Sequence, residues 1–249
     1  MRSGDSDNEG PIDTRAIMIG SAGIRQPARI EDVWDRAWQF AQADERISAD
    51  VMRAQRLDFG QVTASDFLRE CAWAIFGARR RYEVLQKRWP GIERGFCYWN
   101  VRRIVEQSDS VRAEVLGVLN SPRRVDAVLE IAKWLNERTW PTIHAELLSL
   151  VRVDQQGNSV ATDDLLDWLD RLPWIGRTLA AYIAKDLGIG SIKDDLWMLR
   201  LAGRLGYPAN TAGVWRMAFD IQVLSEQKIN VIDTVLWNWA KNQKWLAQT

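Results

Sequence analysis

The sequence predicts an all-α protein. Three observations carry that reading. From residue 30 onward, apolar residues recur at helical spacing almost without interruption. Capping and breaking residues punctuate that pattern. No run alternates apolar and polar as a half-buried strand would, and there is no internal repeat or low-complexity segment.

Residues 1–29 hold Gly4, Gly10, Pro11, Gly20, Gly23 and Pro27 with little periodicity, and read as a loose N-terminal extension. Helix over Ile30–Ala43 follows from Val33, Trp34, Ala37, Trp38 and Ala41 at helical spacing. Ser65-Asp66 can cap an apolar helix through Phe67, Leu68, Cys71, Ala72, Ile75 and Phe76. A basic helix with Arg79, Arg80, Arg81, Lys87 and Arg88 should end near Pro90-Gly91. Phe96–Gln107 and Val111–Leu119 are two shorter candidates.

Asn120-Ser121-Pro122 opens another helix, with proline early in the first turn. Trp140-Pro141 should break it, and Thr142 should cap the next, through Leu150. Asp154–Ser159 reads as a loop turning at Gly157-Asn158. Thr162-Asp163-Asp164 gives an acidic first turn, which suits the helix dipole. Helices should follow over Arg177–Leu187, Asp195–Leu205, around Trp215–Leu224, and over Ile232–Leu246.

The chain has 249 residues, 47% of them hydrophobic and 27% charged, ordinary proportions for a globular protein. No apolar run approaches the roughly 18 residues of a membrane span. Met1–Gly10 is polar and acidic, so a signal peptide is not expected and a cytoplasmic setting is. Two cysteines, Cys71 and Cys97, cannot supply the four thiolates of an iron–sulfur cluster. With His144 the only histidine, no zinc site is expected, and that histidine reads as structural. No metal or cofactor is called for.

The formal net charge is zero, which by itself counts against nucleic acid. Its distribution says more. Residues 1–66 carry 8 basic and 12 acidic side chains, residues 67–152 carry 15 and 10, residues 153–170 carry 0 and 5, and residues 171–249 carry 10 and 6. Positive charge therefore gathers in two segments. The 14 tryptophans should mostly anchor cores and interfaces, with a few free to stack on an unpaired base.

The chemistry concentrates in Leu172-Pro173-Trp174-Ile175-Gly176-Arg177 and in Asp195-Leu196-Trp197-Met198-Leu199-Arg200. Pro173 and Gly176 turn the chain between two helices. Backbone N–H groups near Gly176 and Arg177 then open a helix N-terminus, which binds phosphate through unpaired donors and the helix dipole. Arg177 can add a charge-assisted contact. Asp195 can head the next helix, which stops at Gly206 and Pro208.

This segment resembles the helix-hairpin-helix DNA glycosylase superfamily, whose hairpin reads Leu-Pro-Gly-(Ile/Val)-Gly. In that family a catalytic Asp lies about 18 to 20 residues past the lysine position of lyase members, with a basic residue or His five further on and Arg nine further on. Here Asp195 stands 17 past Thr178, with Arg200 at plus five and Arg204 at plus nine. The clear match covers about 35 of the 249 residues. It implies a two-lobed helical glycosylase fold, with the hairpin over about residues 165–187. The expected organisation is one lobe of residues 30–110 plus 206–249, and a central lobe of residues 111–205.

Three positions depart from the family pattern. Trp174 replaces the first hairpin glycine, and either covers the phosphate contact or wedges against DNA. Thr178 stands where lyase members hold the Schiff-base lysine, which implies hydrolysis without a lyase step. Trp197 replaces the usual His or Asn two past the Asp. Lys185, seven past Thr178, is two turns away and a poor lyase substitute.

The resemblance assigns Asp195 as catalytic, and Pro173, Trp174, Ile175, Gly176, Arg177, Thr178 and Arg200 as DNA-binding. It offers Trp73, Phe76, Tyr182, Trp197 and Trp237 as pocket aromatics. The expected partner is double-stranded DNA with a flipped base, and the expected state is a monomer. The expected reaction is hydrolysis of an N-glycosidic bond to leave an abasic site. Two substrates stay open: an oxidised purine such as 8-oxoguanine, or a phage-type hypermodified pyrimidine. A role in phage defence follows only from the second. The alternatives are a non-catalytic helix-hairpin-helix DNA-binding module and a helical protein-interaction domain.

Overall fold

The structure is a computed structural model that describes residues 29–246; the N-terminal extension expected over residues 1–29 falls almost wholly outside them. Among the described residues, thirteen α-helices make nearly all the regular structure. None is long and apolar enough to cross a membrane.

Helix α1 (Ile30–Ala43) buries Val33, Trp34, Ala37 and Ala41, the expected stripe. Helix α2 (Glu45–Arg56) was not expected: its buried stripe is only Ile47, Val51 and Ala54 in a mostly polar run. A cap compensates, since Asp44 accepts from the Ile47 N–H at 3.0 Å.

Helix α3 (Ala64–Gly77) is capped two residues before the expected Ser65. Thr63 accepts from the Asp66 N–H at 3.2 Å, and Asp66 accepts from the Thr63 N–H at 3.0 Å, a reciprocal capping box. Arg79, Arg80 and Arg81 lie in the connector to α4 (Tyr82–Gly95), not on a helix. Pro90 sits inside α4 and does not end it; buried Leu85, Ile92 and Gly95 hold the helix on both sides of it.

The helix expected over Phe96–Gln107 is broken. Cys97, Tyr98 and Trp99 take φ of 50°, 52° and 64°, left-handed backbone that no helix continues through. Asn100 then caps α5 (Val101–Glu106) by accepting from the Arg103 N–H at 3.1 Å. Helix α6 (Ser108–Val118) and helix α7 (Pro122–Arg138) follow. Trp140-Pro141 opens α8 (Trp140–Ser149) and does not merely break α7, because a first-turn proline gives up no intrahelical bond.

Where a plain loop was expected, β1 (Arg152–Val153) pairs antiparallel with β2 (Ser159–Val160). The Asp154 side chain organises the turn by accepting from the backbone N–H groups of Gln156 (2.9 Å) and Asn158 (2.8 Å). Helix α9 (Asp163–Asp170) opens on the expected acidic turn, and Thr162 caps it by accepting from the Leu165 N–H at 3.2 Å. Then come α10 (Arg177–Asp186), α11 (Leu196–Arg204), α12 (Thr211–Ser225) and α13 (Ile229–Ala240). The last helix starts three residues before the expected Ile232 and stops at Ala240, leaving a short 3-10 turn over Lys244–Leu246.

Two hydrophobic cores divide the molecule. One runs from Phe59 to Ile189, with α3 packed on α7 and α10. The other joins α1 and α2 to Ile192 and α11–α13. This partition differs from the expected lobes: residues 59–110 pack with the central segment, and residues 192–205 pack with the chain ends. Apolar periodicity tells which face of a helix is buried, not which element buries it. The chain crosses between cores near residues 54–59 and 189–192, and Asp195 comes three residues after the second crossing.

Candidate active site

The turn between α9 and α10 is closed by backbone hydrogen bonds from the Leu172 N–H to the Leu169 carbonyl and from the Ile175 N–H to the Leu172 carbonyl, each 3.1 Å. Leu172 and Ile175 point into the core, which fixes the turn. The left-handed residue is Trp174 (φ 66°), where the resembled family has glycine. Gly176 is extended (φ −103°, ψ 172°) and heads α10 with no side-chain cap. Gly176, Arg177 and Thr178 are all exposed, so the first N–H groups of α10 open outward.

Trp174 is 49% exposed and lies against the Arg124 guanidinium, 5.3 Å from its ring centroid. Arg124 also donates to the carbonyls of Phe76 (3.1 Å) and Ala78 (2.8 Å). One side chain thus joins the hairpin, the start of α7 and the end of α3, beside Arg79–Arg81. Burial and then the neighbouring Arg80 and Arg79 push the Arg124 pKa below the usual guanidinium value.

Arg177 does not reach outward as expected. Its guanidinium turns back to α9 and pairs with Asp163 and Asp167. Arg200 likewise donates to the Leu246 carbonyl at 3.2 Å and lies over the Trp197 ring at 5.7 Å.

Asp195 is the N-cap of α11. Its Oδ1 accepts from the N–H groups of Trp197 (3.1 Å) and Met198 (3.3 Å). Its Oδ2 accepts from the Trp237 indole N–H at 2.6 Å and lies 3.6 Å from the Lys193 ammonium. The carboxylate is 20% exposed and held in one orientation from two sides. Asp194 turns away and accepts from the Thr211 hydroxyl.

Trp237 and Lys193 line a cleft of about 560 Å³ between the two cores, walled by α2, α4, α10 and α13. Three of the five expected pocket aromatics, Trp73, Tyr182 and Trp237, line it. The other two do not. Phe76 is fully buried and packs on Phe96 inside the first core. Trp197 packs against the second core and under Arg200, outside the cleft lining. On the cleft wall, Trp73 donates its indole N–H to the Tyr182 hydroxyl at 2.9 Å, and Lys241 sits 4.1 Å over the Trp237 ring.

Sequence reasoning missed the ionic floor of this cleft. Lys185 donates to Asp233 at 3.0 Å, and Asp233 accepts the Lys193 backbone N–H on its other oxygen at 2.9 Å. The usable signal was Asp233 as the lone charged residue in the largely apolar stretch Ile229–Leu236. A charge on a buried face needs a partner. Burial opposes the Lys185 charge, but Asp233 and then Asp186 more than offset it and hold its pKa above the usual lysine range.

Burial also pushes up the Cys71 thiol and the Tyr182 phenol. Each of these three groups binds its proton more tightly folded than unfolded. Their stabilisation is fully present below the unfolded values, about 8.5 for the thiol and about 10 for the phenol and ammonium, and is lost as pH rises toward the folded ones. Thermal unfolding followed from pH 7 to 11 should therefore show a Tm that falls progressively above about pH 8.5. A Tm that rises with alkali would contradict the buried pairing.

No family model matches the chain, and no curated protein matches it. Among solved structures, it is similar to the 8-oxoguanine DNA glycosylase of Thermotoga maritima, with a TM-score of 0.56 and 16% sequence identity. The match covers 86% of this chain and 99% of that one. The chain thus has the all-α fold of that glycosylase.

Proposed function

We propose that this chain is a monofunctional DNA glycosylase that hydrolyses the N-glycosidic bond of a flipped base. One observation carries the reading: a carboxylate, Asp195, is fixed at the edge of a base-sized cleft by groups that themselves line it. The shared fold agrees with it.

In this reading the exposed start of α10 holds a DNA phosphate through backbone N–H groups, with Pro173 and Ile175 shaping the turn. Arg177 braces the hairpin through Asp163 and Asp167. The flipped base enters between Tyr182, Trp73 and Trp237. Cleavage builds oxocarbenium character at C1′, which Asp195 stabilises while it takes the proton of the attacking water. Thr178 offers no amine, so the product is an abasic site without strand cleavage. The enzyme acts as a monomer on double-stranded DNA.

The cleft has room for more than a bare base, and Arg46, Asp50, Arg53 and Glu83 add charged groups to its wall. That suits 8-oxoguanine or a hypermodified pyrimidine, the latter with a role against phage. The test is base release, read by mass spectrometry from ordinary, oxidised and phage-modified DNA. A free base should appear from one of them. Intact DNA throughout, with binding retained, would instead favour a non-catalytic DNA-binding module.

Trp174 gives a separate check on the hairpin. Left-handed backbone at a bulky residue costs about 1–2 kcal/mol. Glycine would relieve that, but costs about 0.5–1 kcal/mol in chain entropy and loses a cation–π contact worth about 0.5–1 kcal/mol. Trp174→Gly should therefore leave Tm nearly unchanged while weakening duplex binding about 10-fold, as the loss of one aromatic–base contact does. Unchanged affinity would remove Trp174 from the DNA interface.

A further inference from the structure

Breaking a glycosidic bond creates two charges, and Asp195 answers only the positive one on the sugar. The departing base takes the bonding electron pair and becomes negative. We infer that Lys193 is the catalytic group that receives this charge, by donating to a carbonyl oxygen flanking the glycosidic nitrogen. The inference rests on the glycosylase reading and adds a substrate class to it.

The placement of Lys193 carries the argument. Its backbone is pinned from beneath, because its N–H donates to Asp233, which is 2% exposed and also holds Lys185. Its side chain lies along the cleft, with Nζ 6.0 Å from the Tyr182 ring centroid and 5.9 Å from that of Trp237. The ammonium stands 3.6 Å from Asp195 Oδ2, an ion-pair distance longer than a hydrogen bond. An ammonium has three donors, and among the described residues none of these three is used in a hydrogen bond. It is a part-exposed cation, already oriented beside Asp195, where charge develops only during reaction.

With C1′ against Asp195, the base atoms nearest Lys193 are those beside the glycosidic nitrogen. The C1′–N bond breaks and its electron pair goes to the ring nitrogen. The charge spreads to the flanking carbonyl oxygen, which accepts an N–H of Lys193. Water adds to C1′ and gives its proton to Asp195, and the base leaves with a proton returned through the same groups. The balance is one water consumed, one neutral base and one abasic sugar formed. An 8-oxopurine carries such an oxygen beside N9, and every pyrimidine carries one beside N1. Hypoxanthine and 7-methylguanine carry none there. One ammonium therefore accounts for both substrates that the cleft suits.

The test uses the full chain and duplexes bearing 8-oxoguanine, uracil, 5-hydroxymethylcytosine, glucosylated 5-hydroxymethylcytosine, hypoxanthine or 7-methylguanine, in single-turnover release. Release should be confined to the first four. Lys193→Gln should slow it about 100-fold, as loss of a positioned proton donor does, and Lys193→Arg should restore part of it. Binding to a duplex with a tetrahydrofuran abasic analogue should stay within a factor of three or so in both variants. Release of hypoxanthine or 7-methylguanine at a comparable rate would overturn the inference, as would full activity in Lys193→Gln. So would a borohydride-trapped adduct that depends on Lys193, which would make it a nucleophile. A wild-type protein inert on every duplex, yet bound to the abasic analogue, would overturn the glycosylase reading and this inference with it.

Discussion

Asp195→Asn should abolish base release while leaving the fold and DNA binding in place. General-base and electrostatic roles of one carboxylate are each worth about 10²–10⁴-fold, so a single-turnover loss near 10³-fold or greater is expected. Asn is the informative replacement because it caps a helix as well as Asp does. Its Oδ1 can keep the Trp197 and Met198 N–H groups, at the cost of the acceptor facing the Trp237 indole. One lost hydrogen bond of that kind costs about 1 kcal/mol, too little to unfold the lobe. Asp195→Ala would remove the cap, the indole acceptor and the Lys193 partner together, and would mix folding with chemistry. The measurements are single-turnover release and binding to an abasic-analogue duplex. Unchanged release would take Asp195 out of the reaction. Lost binding with a lowered Tm would make it a structural cap.

The parts of this site that are local in sequence were legible there. Thr162, Gly176 and Asp195 stand at their own helix starts and Pro173 in the turn between α9 and α10, so spacing alone places them. Asp195 was separable from Asp194 by register with Arg200 and Arg204, and the structure turns Asp194 toward Thr211. What spacing could not supply is long-range pairing. Lys185 meets Asp233 across 48 residues, and Trp237 meets Asp195 across 42. Arg177 and Arg200 looked like free cations because nothing local shows that Asp163, Asp167 and the Leu246 carbonyl engage them. Phe76 was indistinguishable from Trp73 as a pocket aromatic. They lie three apart on one helix, and only the packing of Phe96 decides that Phe76 is core. The left-handed run at Cys97–Trp99 carried no glycine to announce it.

Lys185→Met should be the most destabilising single change near the site. Lys185 is 17% exposed and Asp233 is 2% exposed, so removing the ammonium leaves a buried carboxylate without its counter-charge. Breaking a buried pair from one side costs about 3–5 kcal/mol, which in a domain of this size lowers Tm by roughly 6–20 °C. Asp233 also holds the Lys193 N–H, so the same change loosens the segment that carries Lys193 and Asp195. The double variant Lys185→Met/Asp233→Leu separates the two effects. It removes both charges and should recover most of the lost Tm, since a buried pair replaced by apolar groups of similar volume is often close to neutral. It should not recover base release, because the Lys193 backbone would still lack its acceptor. A Tm insensitive to Lys185→Met would mean that water screens the pair. Release restored by the double variant would mean that Asp233 serves stability alone and does not set the position of Lys193.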